Sequence, residues 1–138
     1  MSSPILFIGD SVTDCNRKSY DPADRSLGDG YVRNIQASGR IADEVINRGI
    51  SGNRIGDLEN RWQQDVLDLK PQVLSILIGV NDTWRRFDDN NPTSAESFTS
   101  RYRNLLQRTR NAFDFDCRRY RDYTVEVHGS RISRYRSI

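Results

Sequence analysis

Histidine and methionine occur once each in this 138-residue chain, and cysteine and lysine twice each. One histidine and two distant cysteines cannot assemble the usual ligand set of a zinc site, so no metal is expected. Cys15 and Cys117 are also too few for a disulfide framework, and they read as free thiols of a reducing compartment. No apolar run approaches the roughly twenty residues of a membrane span; the longest cluster is Val73 to Val80. The apolar run Ile5-Leu6-Phe7-Ile8 begins with no basic segment or small-residue cleavage site before it. That argues against a secretory leader and makes a cytoplasmic protein without a membrane partner the expectation. The glycine-rich stretches lack the Gly-Lys-Ser/Thr ending of a phosphate-binding loop.

What is present suits one folded domain. Hydrophobic residues make up 36% and charged residues 29%, and the mean hydropathy is −0.75, yet the apolar residues come in blocks rather than scattered. The net charge of +2 hides a split. Residues 1–116 carry fifteen basic against seventeen acidic side chains, whereas residues 117–138 carry six arginines against Asp122 and Glu126. The expected organisation is a domain over 1–116 followed by a basic Arg/Tyr-rich tail over 117–138.

The blocks alternate in kind. Pro4 to Gly9 reads as a buried strand entering a turn, and Asn16 to Gly30 as a loop. Tyr31, Val32, Ile35 and Ile41 suggest a helix weakened near Gly39, and Val45-Ile46 a very short strand. Ile55, Leu58, Trp62, Val66 and Leu69 recur at helical spacing until Pro71. Val73 to Val80 reads as a strand buried on both faces. Thr93-Ser-Ala-Glu96 has capping-box form, opening a helix whose apolar face is Phe98, Tyr102, Leu105, Leu106 and Phe113. Strand, helix, strand, helix, strand, helix predicts an α/β fold with a parallel sheet.

Ligands bind such sheets outside the carboxyl ends of the strands. Three polar clusters fall there: Gly9-Asp10-Ser11, Gly49-Ile-Ser-Gly52-Asn53 and Gly79-Val-Asn81-Asp82. A hydroxyl, a glycine-flanked backbone and a carboxamide at one edge suit acyl transfer, with serine as nucleophile and N–H groups as oxyanion donors. Each residue alone also has a plainer use. Ser11 could cap a helix, the glycines could serve turns, and Asn81 could close its strand. Asp10 reads as a residue that holds the turn.

Phe7-Ile-Gly-Asp-Ser-Val-Thr-Asp14, Asn47-Arg-Gly-Ile-Ser-Gly-Asn53 and Ile76-Leu-Ile-Gly-Val-Asn-Asp82 resemble, in order and spacing, the first three blocks of the SGNH (GDSL-type) hydrolases. The resemblance covers roughly residues 4–113. It implies a flavodoxin-like three-layer α/β/α sandwich and a serine esterase without cofactor. It also implies Ser11 as nucleophile, with an oxyanion hole from the Ser11 N–H, the Gly52 N–H and the Asn81 side chain. Gly30-Tyr-Val and Asn81-Asp-Thr-Trp-Arg85 are similar to the acetylxylan-esterase-like branch. That branch implies an acetylated carbohydrate as substrate, with Trp84 as a stacking surface.

The family's last block, Asp-x-x-His, is missing. The only histidine is His128, and Val125 stands three residues before it, so neither role carries over. Without a base, serine is a weak nucleophile. The expectation is a sandwich incomplete at its C-terminus, with residues 117–138 disordered or read out of frame in a longer esterase gene. Other readings are a non-catalytic ester- or carbohydrate-binding remnant, or lysophospholipase- or thioesterase-like activity. A third has the arginines and tyrosines of the tail binding nucleic acid, which the balance of features disfavours.

Overall fold

The computed structural model describes residues 4–113, so Cys117, Asp122, Glu126, His128 and the whole basic tail lie outside the described residues. Three parallel strands, β1 (Ile5–Gly9), β2 (Val45–Gly49) and β3 (Val73–Leu77), form a sheet in the order β2-β1-β3. β1 is central, with Ile5 opposite Val45 and Val73, and Gly9 opposite Gly49 and Leu77. The helices are α1 (Ser11–Asp14), α2 (Tyr31–Ala37), α3 (Ile55–Trp62), α4 (Val80–Asp88) and α5 (Ala95–Ala112); a π-helical turn, Gln63–Leu67, extends α3.

Alternation along β1 divides the core in two. Leu6 and Ile8, with Ile46 of β2, pack against Ile55, Leu58, Trp62, Val66 and Leu105 on one face. Phe7 and Val45 pack against Val32 of α2 on the other, with the Tyr31 ring edge-on to Phe7. Helices therefore cover both faces, giving the three-layer α/β sandwich expected. No helix of the described residues is long and apolar enough to cross a membrane.

Several expectations change at the level of elements. β2 runs to Gly49 rather than stopping at Ile46, because its polar residues are buried with partners. Asn47 donates to the carbonyls of Thr13 and Leu27 and accepts from the Gly49 N–H. Arg48 donates to the carbonyls of Pro22 and Asp24. β3 ends at Leu77 and is not buried on both faces: Val73 is 45% exposed, because β3 pairs only with β1 among the described residues. Val80 instead starts α4, which follows Gly79 at φ +127° and carries Asp82 in its first turn and Arg85 and Arg86 in its last, as the helix dipole favours. Ser94, one residue later than the capping-box pattern places it, caps α5 by accepting from Ser97 N–H, while Thr93 serves Asp82. Leu106 is exposed and Phe113 lies beyond the helix end, so the buried face of α5 is Leu105 with Phe98 and Tyr102 packed beside it.

Candidate active site

The carboxyl ends of β1, β2 and β3 lead into α1, the 50–54 loop and α4 respectively, which brings the three polar clusters to one edge of the sheet. Ser11 is the first residue of α1 and is exposed. It does not cap the helix: Asp10 does, its Oδ1 accepting from Val12 N–H at 3.0 Å. The hydroxyl of Ser11 is thereby left outside the capping arrangement.

Gly52 sits at φ +83° on an exposed turn, and nothing lies within 4 Å of where a side chain would project. Gly49 differs, since a Cβ there would land on the Asp14 backbone. Asn81, in the first turn of α4, donates from Nδ2 to the Asn53 carbonyl at 3.0 Å, tying the third cluster to the second. That bond uses one of the two N–H groups of its carboxamide. Trp84 is on α4, not in a loop, and with Val80 and Phe87 it makes an exposed apolar stripe at i, i+4 and i+7.

Buried charges that sequence reasoning gave no role to hold these loops together. Asp14 Oδ2 accepts from the Ser51 N–H at 2.9 Å, the Ser51 hydroxyl at 2.7 Å and the Tyr20 hydroxyl, and Oδ1 accepts from the Arg17 N–H. Asp82 Oδ2 accepts from the Ile55 N–H at 3.0 Å and Oδ1 from the Thr93 hydroxyl at 2.7 Å. Arg17 donates to the Gly49 carbonyl at 2.9 Å, and Arg61 to the carbonyls of Arg48 and Gly9. Burial draws the guanidinium groups of Arg17, Arg48 and Arg61 down from their ordinary pKa, and the charge of Asp65 opposes this at all three. The available signal was that Asp14 and Asp82 each lie inside a motif block, where a solvated charge has no evident use.

The carboxyls at the two ends of α1 are shifted in opposite directions. Burial opposes charge on Asp14, but hydrogen bonds from Tyr20, Ser51 and Arg17 outweigh it and hold its carboxyl below the usual range. Burial raises Asp10, only partly offset by the Val12 N–H, and the nearby charge of Asp82 raises it further. By linkage, Asp14 contributes stability at neutral pH that is lost as pH falls through its lowered folded pKa. Asp10 contributes stability only below its unfolded pKa and loses it as pH rises through the raised folded value. Asp10→Asn is therefore expected to raise the Tm at pH 7 and Asp14→Asn to lower it. Both differences should shrink on acidification when thermal melts are run as a pH series.

A family model described as the GDSL-like Lipase/Acylhydrolase family matches residues 7–135. The chain belongs to that family. Among curated relatives, this GDSL-like chain is 43% identical over 91 residues to an acetylxylan esterase of Geobacillus stearothermophilus, a match covering 61% of this chain and 42% of the relative. It is 33% identical over 78 residues to the uncharacterized lipoprotein YqeF of Bacillus subtilis strain 168, covering 56% of this chain and 31% of that one. The crystal structure of the G. stearothermophilus acetylxylan esterase Axe2 superposes with a TM-score of 0.70 at 34% identity, covering 80% of this chain and 55% of Axe2. The chain thus spans about half the length, or less, of the relatives it matches. Catalytic mutants of Axe2 replace a serine, an aspartate and the histidine three residues after that aspartate.

Proposed function

We propose that this chain is a carboxylic ester hydrolase acting on acetylated carbohydrate, with Ser11 as nucleophile. The observation that carries the reading is the meeting at one sheet edge of an exposed serine freed from capping by Asp10, an open glycine at positive φ, and an asparagine bonded to that glycine's neighbour. Ser11 Oγ attacks the acetyl carbonyl carbon and gives up its proton to solvent, the carbonyl–oxygen bond to the sugar breaks, and the sugar leaves as its alcohol with a proton taken from solvent. Water then releases acetate from the acyl-serine. The oxyanion accepts from the Ser11 and Gly52 N–H groups and from the second N–H of Asn81. Trp84, one helical turn beyond Asn81 and 59% exposed, offers a face for a sugar ring. The 43% identity to an acetylxylan esterase supports this substrate class.

No histidine lies among the described residues, and His128 lacks an aspartate three residues before it. Serine enzymes deprived of a triad member retain about 10³–10⁴-fold acceleration over water from binding and the oxyanion hole, and turnover of that slow order is expected here. The test is hydrolysis of p-nitrophenyl acetate and of acetylated xylo-oligosaccharide by the purified chain beside Ser11→Ala and His128→Ala. A wild-type rate above the background that binding and the oxyanion hole leave in Ser11→Ala, retained in His128→Ala, is the expected result. A folded wild-type chain no faster than Ser11→Ala overturns the reading.

The missing Asp-x-x-His pair favours one second reading, a site that binds acetylated sugar without turning it over. It predicts saturable binding that survives Ser11→Ala.

A further inference from the structure

One side chain touches parts of the site that are far apart in sequence. Arg61, on the last turn of α3, is 14% exposed and spends its donors on the backbone around the nucleophile and the oxyanion donors. Nη1 donates to the Arg48 carbonyl at 2.7 Å, near the end of β2, and to Asp65 Oδ2 at 2.7 Å. Nη2 donates to the Gly9 carbonyl at 3.2 Å, two residues before Ser11. Nε donates to Asn53 Oδ1 at 2.9 Å, and the backbone carbonyl of that same Asn53 receives the Asn81 carboxamide. The guanidinium thus links β1, β2 and the Gly52 turn directly, and α4 through one residue.

We propose that Arg61 is a positioning residue for acyl transfer, fixing the separation between the Ser11 hydroxyl and the N–H donors of Gly52 and Asn81. The proposal rests on the reading of Ser11 given above. A planar fork is required, because the acceptors lie in different directions and four bonds leave from three nitrogens. A lysine ammonium has three donors on a single atom and cannot span them. Asp65 keeps the fork aimed: it accepts from Nη1 and carries the compensating charge, so the guanidinium stays ionised while most of its surface is buried.

Displacement of reacting groups by about 1 Å costs on the order of 10²-fold in rate without changing how substrate is held. Arg61→Lys is accordingly expected to lower kcat by about 10²-fold with KM nearly unchanged. Asn53→Ala removes the Nε acceptor while keeping the carbonyl that Asn81 uses, and it should lower kcat about tenfold. Arg101→Lys, on α5 and bonded to Glu59, serves as a control that leaves the rate unaltered. The experiment measures p-nitrophenyl acetate hydrolysis for wild type, Ser11→Ala and these three variants, alongside circular dichroism. Labelling of Ser11 by a fluorophosphonate, followed by intact mass, gives a second rate that needs no turnover.

A wild-type chain matching Ser11→Ala in both assays overturns the Ser11 reading and this proposal with it. A wild-type rate above Ser11→Ala, with Arg61→Lys and Asn53→Ala within about twofold of it, overturns the positioning role alone. A rise in KM at unchanged kcat does the same. Should Arg61→Lys fail to fold, Asn53→Ala decides: a lower kcat and slower labelling at unchanged KM support the proposal, and wild-type values overturn it.

Discussion

Gly49→Ala is expected to cost about 3 kcal/mol of stability, an overpacking penalty at the upper end of the usual range. The added methyl would meet the backbone nitrogen and Cα of Asp14 and the carbonyl carbon of Thr13, none of which can rotate away. Relief requires moving α1 off β2 and breaking the Arg17 bond to the Gly49 carbonyl. Gly52→Ala, three residues on, gives the opposite pattern. Nothing crowds its side-chain position, so the cost is the left-handed backbone strain of an L-residue at φ +83°, about 1 kcal/mol. Urea unfolding of both variants, with ester hydrolysis measured on the folded protein, separates them. Gly49→Ala should show the larger fall in urea midpoint, whereas Gly52→Ala should keep most of its stability and lose rate. Two glycines that look alike within one motif thus divide into one that lets a helix touch a strand and one whose side-chain position is open.

Trp62→Ala is expected to be the larger loss, about 4 kcal/mol. Trp62 is fully buried at the junction of α3 with the π-helical turn, and its indole N–H donates to the Thr109 hydroxyl of α5 at 3.0 Å. Thr109 in turn donates to the Leu105 carbonyl, so removal of the indole empties a volume between α3 and α5 and strips one acceptor of its donor. Against the 5–15 kcal/mol typical of a domain, a loss of that size leaves little. Trp62→Phe keeps most of the volume and loses the N–H bond, for about 1–2 kcal/mol. In urea titrations the midpoint should fall in that order with the slope unchanged.

Much of this architecture was legible from apolar periodicity. β1 and the repeat Ile55, Leu58, Trp62, Val66 are continuous or helically spaced, so hydrophobic pattern alone locates them. The second half of β2 was not legible, because Asn47 and Arg48 read as loop residues until their partners in residues 13–27 are known. α4 was hidden similarly: Asn81-Asp82-Thr83 looks like a turn, and only the bonds of Asp82 to Ile55 and Thr93 explain why a helix begins there. The motif blocks pointed to the sheet edge where Ser11, Gly52 and Asn81 lie. Their support was invisible, since Asp14, Asp82 and Arg61 act across 27 to 52 residues of sequence. No local pattern encodes a contact of that span.

Asn47 also bears on how the molecule assembles. Its carboxamide is buried, and its two donors end on Thr13 and Leu27, in α1 and the irregular segment that follows it. Were β2 to dock against β1 before that segment closed, it would carry an unpaired amide, and an Arg48 guanidinium short of its Pro22 and Asp24 acceptors, into the interior, a penalty of several kcal/mol. Residues 13–27 contain little regular structure, yet the strand cannot settle without them. The irregular segment therefore belongs to the same cooperative folding unit as the central sheet. An insertion there acts as a defect of the core rather than as a tolerated change in a surface loop.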